Sequence, residues 1–161
     1  MPPAGAESGP WSDARLVRQA ARIVSSYRHW LGRELVARGR NALEDAAELW
    51  HAPLVVVSHG VEADPLLNYA NLHAQRLWES DLGALVGLPS RFTAEPMERE
   101  EREAMLQRTE AFGYVDDYRG IRISRLGRRF EILKAVVWNV LDEDGVAAGQ
   151  AAAFDQWIEL P

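Results

Sequence analysis

Residues 120–157 read GIRISRLGRRFEILKAVVWNVLDEDGVAAGQAAAFDQW, and this stretch decides the fold. GIRIS at 120–124 alternates polar and apolar residues, the period-two signature of a strand. Leu126 and Gly127 supply a turn. RRFEILKAVVWNVL at 128–141 is a long apolar run rich in β-branched and aromatic residues, which suit a pleated surface. Asp142-Glu143-Asp144-Gly145 is a hairpin signal, because Gly145 tolerates the positive φ of a tight or bulged turn. VAAGQAAAFDQWI at 146–158 returns as a third antiparallel strand. A sheet this apolar needs cover on both faces.

The cover lies upstream. Asp13 caps a helix running to about Arg38, whose Leu16, Ala20, Ile23, Tyr27, Trp30, Leu31 and Leu35 recur at steps of three and four. Asn41 with Glu44 has the pattern of a capping box for a second helix over 42–50, which ends before Pro53. LVVVS at 54–58 is a buried-strand candidate and 67–70 a short extended piece. Asn71 is an N-cap for a helix over 72–79, and Gly83, Gly87 and Pro89 break the segment 80–94. A charged helix follows over 96–112, between Pro96 and Gly113. Glu95/Arg99 and Glu98/Arg102 have the favourable i,i+4 order, and the apolar side (Met97, Met105, Leu106, Phe112) is narrow, which places this helix on the surface. Tyr114 to Tyr118 forms another short strand before the hairpins. Helices first and a block of strands last indicate an α+β fold with an antiparallel sheet. The organisation is a disordered tail over 1–12, a helical cover over 13–52 and the sheet domain over 53–161.

Several short stretches bear on family. They are Ser58-His59-Gly60, Asp64-Pro65 with Asn68-Tyr69-Ala70-Asn71, Leu88-Pro89-Ser90-Arg91, Gly113-Tyr114 with Asp117-Tyr118, Arg129-Phe130-Glu131-Ile132, Val137-Trp138-Asn139 and Gly149-Gln150-Ala151-Ala152. In element order the chain resembles PAS domains, and in these stretches, over roughly 45–158, it resembles the narrower MEKHLA family of PAS-like domains. That family occurs at the C-terminus of plant class III homeodomain–leucine zipper proteins and as stand-alone bacterial proteins. With no homeodomain, zipper or lipid-binding part in this sequence, the stand-alone bacterial form is the closer comparison. The resemblance implies a five-stranded antiparallel sheet with small helices on one face enclosing a pocket. It also implies a role in sensing light, redox state or a small molecule.

Composition narrows the chemistry. The chain is long enough, at 161 residues, for one domain with its own core. It contains no cysteine, which excludes disulfides, thiolate metal sites, cysteine nucleophiles and thiol-adduct flavin photochemistry. A net charge of −6 argues against a nucleic-acid partner. The longest apolar runs are too short to span a bilayer, and residues 1–12 lack the pattern of a signal peptide, so the expectation is a cytoplasmic protein.

The expected pocket lies between the sheet and residues 66–92, lined by His59, Arg91, Tyr118, Trp138 and Gln150, with Asn68 and Asn71 as further contact candidates that also suit turn and cap roles. His29, His51, His59 and His73 show no metal-ligand spacing, so no metal site is assigned. Ser58, His59 and Asp64 fail as a triad, because consecutive strand residues point to opposite faces. On the long strand, simple alternation places Phe130, Ile132, Lys134, Val136, Trp138 and Val140 on one face. Lys134, the one lysine, reads as a snorkelling side chain rather than a Schiff-base former. Arg91 suits either an anionic ligand or an internal bridge to an Asp. Small residues at 149, 151 and 152 leave room for a ligand or for a closely packed helix.

Three functions fit these residues. The first is a sensory module that binds a small molecule, signals through protein–protein contacts and forms a homodimer through 13–38. The second is a small enzyme with His59 as acid/base and Arg91 binding an anionic substrate. The third is an interaction protein whose N-terminal helix recruits a partner. No catalytic residue is assigned, and the sequence names no cofactor.

Overall fold

The computed structural model describes residues 8–161. In chain order the elements are α1 (Ala14–Leu31), α2 (Ala42–His51), β1 (Val55–His59), β2 (Leu67–Ala70), α3 (Leu72–Leu77), α4 (Leu82–Leu85), α5 (Arg99–Phe112), β3 (Tyr114–Ile123), β4 (Arg129–Leu141), β5 (Ala147–Phe154) and β6 (Gln156–Glu159). Short 3-10 turns occupy Pro10–Ser12, Ser90–Thr93 and Pro96–Glu98. The strands form one antiparallel sheet in the order β2-β1-β5-β4-β3, with β6 beside the first part of β4. The hairpin reading of 120–157 holds with two changes. GIRIS continues the strand that begins at Tyr114, across a bulge at Asp117, where φ is 60°. The third strand breaks at Asp155, so β5 pairs with the second part of β4 and β6 with the first.

A single residue on β4 decides which side chains face which way. Lys134 has a φ of 51°, and the pairing steps from Tyr118↔Ala135 to Gly120↔Ile132. Three residues of β4 therefore oppose two of β3, and one extra residue inverts the alternation beyond it. Phe130 and Ile132 share their side of the sheet with Ala135 and Val137, whereas Val136, Trp138 and Val140 face the other way. The single-face grouping of Phe130, Ile132 and Trp138 is thereby overturned.

On the first face α1 and α2 pack Ile23, Val24, Tyr27, Leu49 and Trp50 onto Val56, Trp138, Val140, Ala151 and Ala153. Tyr27 meets Trp138 edge to face, with ring centroids 4.9 Å apart. Polar fasteners lock α1 to β4: the Ser26 hydroxyl accepts the Leu141 N–H at 2.7 Å, and Trp30 Nε1 donates to the Asn139 carbonyl at 2.8 Å. The helix ends at Leu31 because Gly32 takes the left-handed conformation (φ 70°), well short of Arg38. Its apolar stripe, expected to serve a homodimer over 13–38, is buried on the chain's own sheet. Within the expected tail, Trp11 is 8% exposed and packs its ring 4.7 Å from that of His51, so packing onto α2 includes a residue before Asp13. Residues 1–7 of that tail lie outside the described residues.

On the second face α3, α4 and α5 set Leu77, Trp78, Leu85 and Met105 against Val55, Leu67, Phe130, Ile132, Ala135, Val137 and Phe154. The α5 helix is not the surface helix its composition suggests. Its buried line is Arg102, Met105 and Thr109, while Met97 and Phe112 are 73% and 75% exposed.

Candidate functional site

Between α5, the turn Ser90–Thr93 and the sheet lies a cavity of about 70 Å³. Its inner lining is largely apolar, from Leu67 and Leu85 to Ile132, Val137 and Phe154. Beside it opens a polar vestibule of about 430 Å³ under the loop from Gly60 to Pro65. The two share His59, Ser90, Arg102, Leu106 and Gln150 as a common wall.

His59 ends β1. Its Nδ1 lies 3.1 Å from the Gly60 carbonyl, which can only accept, so Nδ1 carries the proton. Nε2 is then a lone-pair acceptor, and it is buried without a hydrogen-bond partner among the described residues. Burial pulls the His59 pKa below its ordinary value, the Gly60 carbonyl opposes this, and the charge of Arg102 lowers it further. The ring is therefore neutral at pH 7. Trp78, whose Nε1 is also buried and unpartnered, lines the same cavity.

The same cavity lining holds two arginines. Arg102 is 7% exposed and Arg122 5%. Arg102 donates to the Ser90 hydroxyl at 2.8 Å. Arg122 donates to its neighbour's carbonyl at Ile121 and to the Tyr118 hydroxyl. Burial, and then the like charge of Arg122, bring the Arg102 pKa down to about 10, which leaves it charged at neutral pH. Tyr118 stays a neutral phenol, since burial raises its pKa against the opposing pull of Arg122, and it donates to Glu101 at 2.8 Å. No carboxylate among the described residues lies within salt-bridge distance of either guanidinium.

The expected site residues separate into three groups. His59 and Tyr118 line the inner cavity, and Gln150 stands in the common wall. There Gln150 donates to the Leu106 carbonyl at 3.0 Å and to Asn139 at 3.2 Å, while Asn139 donates to the Thr109 and Glu110 carbonyls at the end of α5. Arg91 lines only the vestibule, where it bridges to Asp64 at 3.1 Å and stacks on Phe92. The remaining three lie away from the cavity. Trp138 is turned to the α1 face by the Lys134 bulge. Asn68 is drawn to the same side, accepting the Ser58 hydroxyl and Gln19. Asn71, fully buried, caps α3 through the Ala74 N–H, accepts the Val56 N–H and donates to the Leu49 and Leu54 carbonyls. All four of its hydrogen-bonding directions are used within the fold.

Sequence reasoning missed Arg102, Arg122 and Ser90. The i,i+4 pairs did not form: Glu95 holds Arg129, and Arg99 bonds the carbonyls of Arg91 and Ala94. A usable signal was present, because Arg102 falls three and seven residues before Met105 and Thr109 on one helical face. In GIRIS the alternation holds, but its polar side is the inner one: Arg122 is buried, and Ile121 and Ile123 are half-buried. The small residue at 149 serves a third purpose, a close strand contact, since a Cβ there would lie 2.0 Å from the His59 carbonyl oxygen.

The model of the MEKHLA domain matches residues 17–159. The chain belongs to the MEKHLA domain family. Its curated relatives include the homeobox-leucine zipper protein HOX10 of Oryza sativa subsp. indica, 28% identical over 137 residues, which cover 84% of this chain and 16% of that protein. The homeobox-leucine zipper protein ATHB-15 of Arabidopsis thaliana is 26% identical over 136 residues, again 84% of this chain and 16% of the relative. The MEKHLA chain thus spans about one-sixth of the length of these relatives. Among solved structures, the PAS domain of a Colwellia psychrerythraea protein superposes with a TM-score of 0.60 at 12% identity, covering 74% of this chain and 98% of that one. A light-oxygen-voltage domain studied with a flavin analogue gives 0.56 at 14% identity, covering 76% and 87%. The light-oxygen-voltage protein of Rhodobacter sphaeroides gives 0.55 at 12%, covering 68% and 61%. At these identities the likeness is one of fold, and that fold is PAS-like. The residues present do not fit a flavin: the apolar cavity of about 70 Å³ is far below the ~300–1,000 Å³ of ordinary cofactor-sized pockets, and the chain offers no thiol for an adduct. Among the described residues, no helix is long and apolar enough to cross a membrane.

Proposed function

We propose that this MEKHLA domain is a sensory module that binds a small molecule between its sheet and α3–α5 and signals through protein–protein contacts. The observation that carries the reading is a conjunction in one cavity: of the five buried polar atoms without partners among the described residues, His59 Nε2 and Trp78 Nε1 line it, beside a buried charge on Arg102. A folded chain leaves buried polar groups unpaired at a cost of about 1–3 kcal/mol each. A ligand supplying complements would recover that cost. Arg91, the anion binder of the enzyme alternative, is already engaged by Asp64, and burial lowers the basicity of His59, so binding fits the site better than acid–base catalysis.

Signal transfer rests on α5. Its last turn is fastened to the sheet through Asn139 and Gln150, and Gln150 stands in the cavity wall, so a ligand displacing that side chain loosens the helix end. The module would pass this change on through a protein surface in contact with α5. Native mass spectrometry and a thermal-shift screen of the full chain test the proposal. A bound mass or a raised melting temperature is expected for a ligand that also shifts Gln150 and Leu106 resonances. A cavity-side core that stays insensitive to every compound would sink it.

A further inference from the structure

Resting on that binding reading, we infer that the ligand is a small organic carboxylate with a short apolar body and a hydrogen-bond donor beside the carboxylate. Arg102 and Arg122 line the cavity almost wholly buried, and their hydrogen bonds go only to neutral oxygens, at Ser90, Ile121 and Tyr118. A guanidinium offers five N–H donors in a rigid fork matched to a carboxylate. A buried charge that meets only neutral partners is costly, and an anion between two such forks removes the cost. Most of the chamber is aliphatic and aromatic, from Leu67 and Leu85 to Ile132, Val137 and Phe154, so it suits a carbon skeleton better than the full set of oxygens of a phosphate. At about 70 Å³ it admits only a short body. In the same lining His59, near enough to Arg102 to feel its charge, presents an acceptor, which a hydroxyl next to the carboxylate would satisfy. The reading assigns each part of the ligand a partner: the carboxylate goes to the arginines, the hydroxyl to the imidazole and the carbon skeleton to the chamber.

Calorimetric titration of the full chain with 2-hydroxybutyrate, butyrate, butyramide and inorganic phosphate tests this. The expected order of affinity is hydroxy acid, then acid, with amide and phosphate far weaker. Arg102→Met should weaken hydroxybutyrate binding at least about thirtyfold, the effect of truncating one partner of a buried charge pair. Arg102→Lys, which keeps the charge but not the fork, should fall between. His59→Phe should abolish the preference for the hydroxy acid over the acid. Butyramide binding as tightly as butyrate, phosphate binding as tightly as either acid, or full binding by Arg102→Met would each overturn the inference. If butyramide alone shifts the Ile132 and Ala152 resonances, the anion class fails while the binding reading stands. If acids and amides of one to six carbons all leave those resonances unmoved, both fall.

Discussion

His59 is held differently at its two nitrogens, one proton-bearing and fixed on Gly60, the other a buried acceptor. Its folded-state pKa lies below the ordinary 6.5, chiefly because burial disfavours the charged ring, with Arg102 adding to the effect and Glu62 opposing it. The unfolded chain therefore takes up the proton first as pH falls. The stability contributed by the neutral ring is whole above about pH 6.5 and declines as pH drops from there toward the folded-state value. Urea denaturation between pH 8 and 5 should show this loss, and His59→Phe should flatten the profile; an unchanged slope in the variant would remove His59 as its source. Gly149 sets the approach of β1 to β5 at the same place. Its φ is 128°, and an added Cβ would stand 2.0 Å from the His59 carbonyl oxygen, a backbone atom that cannot swing away. Gly149→Ala is expected to destabilise the fold by about 2–4 kcal/mol in equilibrium unfolding and to shift the His59 ring resonances. A loss below about 0.5 kcal/mol would mean the strands separate there at little cost.

The bulge at Lys134 is the element-scale feature with the widest consequence. Without it Trp138 would face the cavity and Ala135 the N-terminal helices, so both cores depend on one extra residue. Period-two alternation is a rule about regular strands, and nothing in the residues 128–141 marks where the extra one sits, because the side chain at the bulge is an ordinary lysine. This is why the strand itself was legible and its faces were not. The same limit applies to α5: its charges suggested a surface helix, whereas tertiary packing buries Arg102 beside Met105 and Thr109. The caps fared better, since a cap is a local bond: Asn71 and Asn41 bond the N–H three residues on, as their positions predict. A left-handed backbone costs a non-glycine residue about 1–2 kcal/mol. Lys134→Gly should therefore leave stability unchanged or raise it by up to about 1 kcal/mol, and Lys134→Val should lower it by more than that, because a β-branched residue tolerates positive φ poorly. If valine proves harmless in thermal melts, the bulge is not held at that residue.

The whole molecule is one sheet with a core on each face, and the two cores have different work. The cavity side carries His59 Nε2 and Trp78 Nε1 beside two buried arginines, while the α1 side is filled by Ile23, Val24 and Tyr27 against Trp138 and Val140 and leaves Trp11 Nε1, Tyr69 OH and Trp138 Nε1 as its unpaired atoms among the described residues. That layering was legible from the order of helices and strands. The cavity's charged wall was not, because Ser90, Arg102 and Arg122 come from a turn, a helix and a strand that meet only in the folded chain. The division gives a test of what α1 is for. Burial of Leu16, Ile23, Val24 and Tyr27 is worth about 1.5–3 kcal/mol per side chain, a sum comparable with the whole net stability of a domain, about 5–15 kcal/mol. Deleting residues 1–40 removes these side chains together with the Ser26 and Trp30 bonds to β4. The shortened chain is expected to lose its cooperative thermal transition, to bind a hydrophobic dye through the bared Trp138 face and to lose ligand binding at the same time. A truncated chain that still melts cooperatively and still binds would make α1 a removable docking element, and its apolar stripe would then be available to a partner or a second copy.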